Sequence, residues 1–169
     1  MLLKITGGIL LIICGALSGF YYSCICIRRT EMISSYIRFL SRTRNMISYL
    51  RLDIRSVLMR SLPEDGMVSL INNTLREMDR GSSFEKAWER SAERLVKSGA
   101  IFPGDKDIFT ELSRVFGEYG TEEEIQKLDM IMKEAESRLK NRREDNASRL
   151  RIYRAGGVFC GVMAAVILL

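Results

Sequence analysis

The side chains best suited to chemistry lack the partners that chemistry needs. The 169-residue chain contains no histidine, which excludes Ser-His-Asp and Cys-His catalysis and any histidine-ligated metal. Paired acids occur at Asp105 and Asp107 and at Glu122, Glu123 and Glu124. Such oxygen groups suit a hard cation, but at helix starts they act as caps and partners of the helix dipole, and that is the expected role here. The four cysteines, Cys14, Cys24, Cys26 and Cys160, all lie in uncharged segments, where a thiol behaves as a small apolar group. Cys24-x-Cys26 lacks the two-residue gap of a zinc knuckle, so no disulfide or metal site is expected. Gly99, Gly104, Gly117 and Gly120 make no phosphate-binding loop, because no Gly-Lys-Ser/Thr follows a strand. Trp88, the only tryptophan, is expected in the core. With no nucleophile beside a base, no catalytic, cofactor-binding or metal-binding residue is assigned, and a non-enzymatic protein is expected.

The elements that carry these residues follow from the distribution of charge. There are 26 Lys plus Arg and 21 Asp plus Glu, a formal net charge of +5. Lys4 is the only charge in residues 1–27, and residues 155–169 have none. As a helix, 5–27 reaches roughly 34 Å, enough to cross a hydrocarbon core of about 30 Å. Phe20, Tyr21 and Tyr22 precede Arg28 and Arg29, as at an anchored membrane interface. A cleaved signal peptide fits less well, since the apolar run is long and no small-x-small site follows. Residues 153–169 form a shorter oily end. Tyr153 and Arg154 can sit at the near interface while the helix continues to the far headgroups. The alternative is an apolar helix packed on the rest of the chain.

Both ends carry small residues four apart: Gly15, Gly19 and Ser23, then Gly157, Gly161 and Ala165. That spacing lines one helix face and lets two backbones approach, so both ladders are expected to pack. Bases gather after the first segment and before the second. This places the middle in the cytosol and both termini across the membrane. The bases are interleaved with acids, so a nucleic-acid partner is not expected.

The middle reads as helices. From 30 to 62 there is no Gly or Pro. Ile33, Ile37, Leu40, Ile47, Leu50, Ile54 and Val57 recur at three- and four-residue steps, interrupted by Arg44. This predicts one long amphipathic helix ended by Pro63 and Gly66. A second helix is expected over 67–78, with Val68, Ile71 and Leu75 on one face. A third covers 83–96, opened by a Ser82/Glu85 capping box and burying Phe84, Trp88 and Leu95. A fourth follows an Asp105 cap and runs through 116, with Ile108, Leu112 and Val115 inward. Thr121 and Glu124 form a second capping box. From there no Pro or Gly occurs before Gly156, so one helix is expected from 121 to the end. The expected architecture is all-α: a tail 1–4, a transmembrane helix 5–27, a cytosolic bundle 28–152 and a C-terminal transmembrane helix 153–169.

Phe116-Gly-Glu-Tyr-Gly-Thr-Glu, Gln126, a long charged helix, Arg151-Ile-Tyr-Arg-Ala-Gly-Gly and the Gly161 segment ending Ile167-Leu-Leu resemble the stage III sporulation protein AB family. Gly19-Phe20-Tyr21 before a basic pair fits as well, and Asp53-Ile54-Arg55 stands where the family has an acidic-Ile-Arg stretch. The usual Leu-Gly-small-Asp before the last helix is here Tyr119-Gly120-Thr121-Glu122. The resemblance implies a fold similar to the cytoplasmic helical domain of type II secretion and type IV pilus platform proteins. It also implies membership of a trans-envelope complex joining mother cell and forespore. The membrane would be the mother-cell-derived one around the forespore. The implied partners are other membrane subunits and a cytosolic ATPase, stage III sporulation protein AA.

The expected function is a membrane platform subunit that docks this ATPase, in a possible oligomer. Asp53, Arg55, Glu122, Glu123 and Glu124 are assigned as the docking face. Two other readings stand beside it: a membrane-tethered regulatory scaffold dimerising through 33–57, and an enzyme of the membrane surface.

Overall fold

The computed structural model describes residues 2–50, 53–61, 66–116 and 121–168, with side chains throughout 13–48, 53–61, 66–116 and 122–146 and at isolated positions beyond. Every regular element among the described residues is helical. α1 spans Leu2–Leu50, α2 Ile54–Arg60, α3 Val68–Asp79 and α4 Phe84–Lys97. A 3-10 turn, Pro103–Asp105, leads into α5, Lys106–Glu111. A second, Leu112–Arg114, follows it, and α6 spans Thr121–Leu168.

The chain divides into two compact units, one of residues 1–28 with 141–169 and one of residues 29–140. In the first unit both sequence ends come together as helices. Gly19, Ser23 and Cys26 line the buried side of α1, and Gly15 is half-buried. Leu10, Ile13, Leu17, Phe20 and Tyr21 are exposed. The buried Ser23 hydroxyl donates to the Gly19 carbonyl at 3.0 Å, so no polar group is stranded on that side. The spans expected at 5–27 and 153–169 are helical wherever described, but among the described residues no helix is long and apolar enough to cross a membrane. Many side chains of both segments lie outside the described residues, including those of Gly157, Gly161 and Ala165.

The second unit holds the core. Met32, Ile33, Tyr36, Phe39, Leu40 and Ile47 of α1 are buried at three- and four-residue steps, the stripe expected of an amphipathic helix. α6 supplies Leu128, Ile131 and Ala135 to the same core. Arg44, which interrupts the apolar pattern of α1, meets Asp129 of α6. Its Nε and Nη2 donate to the two carboxylate oxygens at 2.7 and 3.2 Å. The break in the pattern is therefore a two-pronged contact between the long helices. Lower on α6, Arg138 donates to the Gly104 carbonyl at 2.8 Å.

Between the long helices, α3 packs on α4 and α4 on α5. Two neighbouring carbonyls of α5 are taken by buried rings. The Tyr36 hydroxyl donates to Ile108 O at 2.8 Å, and Trp88 Nε1 donates to Phe109 O at 2.6 Å. α5 tightens into a 3-10 turn at this end, where regular helical pairing runs out and side chains can satisfy carbonyls. Tyr36 stacks on Phe109 with centroids 4.3 Å apart. Trp88 lies 5.8 Å from Phe39 and 5.6 Å from Phe84. Trp88 is thus a core residue, as expected.

Three expected boundaries are corrected. The first amphipathic helix does not run to 62. It ends at Leu50, and α2 starts after Asp53, whose φ of −64° and ψ of 153° are extended. The N-cap of α4 is Ser83, not Ser82, and it makes no side-chain cap hydrogen bond. The fourth helix is shorter than expected, a six-residue α5 between two 3-10 turns. Asp105 occupies its N-cap position without a side-chain cap bond and is buried. The last helix begins at Thr121 and is unbroken to Leu168, as expected. The Thr121 side chain and residues 117–120 lie outside the described residues.

Candidate docking surface

α4 presents three longitudinal faces, and its sequence Phe-Glu-Lys-Ala-Trp-Glu-Arg-Ser-Ala-Glu-Arg-Leu-Val-Lys explains all three. Ala87, Trp88, Ser91, Ala92 and Leu95 are buried. Ser91 stays on this face because its hydroxyl donates to Ala87 O at 2.8 Å. Lys86, Arg90, Arg94 and Lys97 recur at four, four and three residues, so they form one exposed cationic row. Glu85, Glu89 and Glu93 recur at four and form an acidic row beside it. The acidic row is tied to the next element, since Lys106 Nζ donates to Glu93 Oε1 at 3.1 Å. That bond, with the charges of Lys106 and Lys97, lowers the Glu93 pKa.

Arg90 and Arg94 of the cationic row converge with Arg80 on one carboxylate of α3. Leu70, Ile71, Thr74 and Glu77 form the buried side of that helix. Thr74 satisfies its hydroxyl locally on Leu70 O at 2.8 Å. Glu77, with 8% of its side chain exposed, has three guanidiniums about it. Arg94 donates Nη2 to Oε1 at 2.8 Å, Arg80 donates Nη1 to Oε1 at 3.4 Å, and Arg90 donates Nη1 to Oε2 at 3.4 Å. Their side chains are 73% (Arg80), 58% (Arg90) and 52% (Arg94) exposed. The Arg94 hydrogen bond, aided by the charges of Arg94 and Arg80, holds the Glu77 pKa below the usual carboxylate range against the opposing effect of burial. The arrangement is a carboxylate sunk beneath a raised ring of cations. It can orient guanidiniums, and it offers no group positioned for covalent chemistry.

The residues assigned from the sequence lie at the starts of α2 and α6. Asp53 is exposed at the start of α2. Arg55 is ion-paired with Asp79 at the end of α3. Glu122, Glu123 and Glu124 occupy the first turn of α6, where acids suit the helix dipole. Gly15, Gly19 and Ser23 share the less exposed side of α1. Among the described residues no group of three or more His, Cys, Asp or Glu could hold a metal ion. Cys14, Cys24 and Cys26 form no disulfide.

Glu77 and the arginines about it escape a reading of the sequence, because a carboxylate on a buried helix face has no local signature. The charge rows of α4 do have one. Period-four repeats of Glu and of Lys or Arg in a single helix are visible in the sequence itself.

An all-helical bundle whose two sequence ends join in a separate helical unit is the class that these features define. Within that class the chain belongs to the stage III sporulation protein AB family, whose model matches residues 4–169. It is similar in fold to a solved stage III sporulation protein AB, with a TM-score of 0.63 at 12% identity. That match covers 71% of this chain and 97% of the other. No curated protein matches the sequence.

Proposed function

We propose that the chain is a non-enzymatic platform subunit of a sporulation trans-envelope complex, tethered to a membrane through both sequence ends and docking a cytosolic ATPase. The observation that carries the reading is the family match over residues 4–169. The first unit supplies matching hardware. Leu10, Ile13, Leu17 and Phe20 are exposed at steps of three and four residues, so they form an apolar stripe on the side of α1 away from Gly19 and Ser23. Phe159, Met163 and Val166 are exposed at steps of four and three on α6. Such stripes favour a lipid environment over water. The second unit offers charged faces and a dense core, which suits work by contact. The membrane would be the mother-cell-derived one around the forespore.

A scaffold dimerising through 33–57 is the weaker reading. Ile33, Leu40, Ile47 and Val57 are buried in the chain's own core and are not on offer to a second copy.

The test uses a tagged full-length chain in sporulating cells. The tagged chain should resist alkaline extraction from membranes and co-purify with the ATPase, and its deletion should block spore formation. Normal spore yield after deletion, with no ATPase recovered, would sink the proposal.

A further inference from the structure

Charge balance around Glu77 points outward. One carboxylate lies among three guanidiniums, which leaves a local surplus of two positive charges. A network serving stability alone gains little from the second and third cation, because exposed ion pairs contribute only about 0–1 kcal/mol and like charges repel. What the geometry does supply is pre-organisation. Each arginine is held by a single nitrogen on Glu77, while half or more of its side chain stays exposed. A guanidinium has five donors in a planar fork suited to carboxylates. Holding it in advance removes part of the entropy cost of the next contact.

The neighbouring acids narrow the class of partner. The Glu85, Glu89 and Glu93 row runs beside the cationic row on the same helix. A nucleic acid or an anionic lipid surface presents one sign of charge and meets both rows, one of them repulsively. A protein surface can match two rows of opposite sign, and such complementarity sets specificity and register.

We propose that the α3–α4 face around Arg80, Arg90 and Arg94 binds an acidic segment of a partner protein, with Glu77 as the positioning residue that presents the guanidiniums. This rests on the platform reading and gives it a location: α4, rather than Asp53, Arg55 or the start of α6. The occupant presents carboxylates to the arginines and a basic group towards Glu89.

The test places a photo-reactive amino acid at Lys86, at the exposed start of the cationic row, in the full-length chain of sporulating cells. The expected result is an adduct to a partner peptide rich in Asp and Glu. Its yield falls at least ~10-fold in the Arg90→Glu/Arg94→Glu chain and persists in the Arg90→Lys/Arg94→Lys chain. An undiminished adduct in the charge-reversed chain overturns the proposal. An adduct to lipid, to nucleic acid or to a second copy does so too. If the double reversal fails to accumulate, Arg80→Glu is measured in its place, since that side chain is the most exposed of the three. Spore yield separates the two levels of the reading. Normal sporulation after deletion of the chain defeats the platform reading itself. A block on deletion, with normal sporulation in the folded charge-reversed chain, defeats only the placing of the docking face on α4.

Discussion

Tyr36→Phe removes one oxygen from the centre of the bundle and nothing else. Tyr36 is fully buried, stacks on Phe109 and donates to Ile108 O at 2.8 Å. The variant keeps the ring and its stacking. It loses the hydrogen bond and leaves a carbonyl short of a donor in an apolar setting. With a loss of ~1.5 kcal/mol and a urea slope of ~1.5 kcal/mol/M, the unfolding midpoint should fall by about 1 M. The assay is urea titration of the full-length chain in mild detergent. Trp88 emission serves as the signal, because it is the only tryptophan and is buried in the same cluster. Tyr21→Phe is the control, since Tyr21 is 70% exposed, and its midpoint should stay put. A second readout tests the same bond by pH. Burial first, and the charge of Glu111 second, raise the Tyr36 pKa well above 10.0. A group raised in the folded state contributes stability that is complete below its unfolded pKa and is lost as pH climbs through the folded value. The wild-type chain should therefore weaken above about pH 10, and the Phe variant should lack that part of the alkaline decline. Equal midpoints and equal alkaline limbs in the two chains would refute the placement of this hydroxyl.

Two further outcomes follow from the second unit. Glu77 has a lowered pKa, so its contribution to stability is present above the unfolded value near 4.5 and is lost as pH falls through the folded value. Glu77→Gln should flatten the acid limb of a circular-dichroism pH titration of the full-length chain. Gly99 has φ +73°, and a Cβ there would come within 3.3 Å of Nη2 of Arg29, whose Nε donates to Gly99 O at 2.8 Å and holds α1 to this turn. Gly81 has φ +88° with open space around it. Gly81→Ala should cost about 1 kcal/mol from backbone strain alone, and Gly99→Ala should lower the thermal midpoint further.

The helices are legible in the sequence wherever apolar spacing and a Gly or Pro stop agree, as in α3 and α4, and α6 is legible from the lack of either between Thr121 and Gly156. The gap after Leu50 is not, because Ile47, Leu50, Ile54 and Val57 keep helical spacing across it. A break that preserves the period leaves no trace in the period, and the clue is Asp53, a good N-cap residue. The buried side of α3 lies about a third of a turn from the face that apolar spacing predicts. Val68, Ile71 and Leu75 are expected inward, whereas Leu70, Ile71, Thr74 and Glu77 are buried. Thr74 and Glu77 carry polar groups that cost nothing there only because Leu70 O and three arginines satisfy them. Partners thirteen and seventeen residues away in Arg90 and Arg94 cannot be foreseen from a local window. The small-residue ladder at Gly15, Gly19 and Ser23 is readable because close backbone approach demands small side chains whatever the neighbour is.

The division of the chain has a consequence for its synthesis. Residues 1–28 emerge from the ribosome first, but the unit to which they belong also needs 141–169. The whole of 29–140 is made in between. The opening helix therefore leaves the ribosome long before its mate does. During that interval Gly19, Ser23 and Cys26 have no completed unit to bury them. A nascent chain stalled near residue 140 would expose the opening helix before the segment that completes its unit has been made, the stage at which a chaperone has its opening.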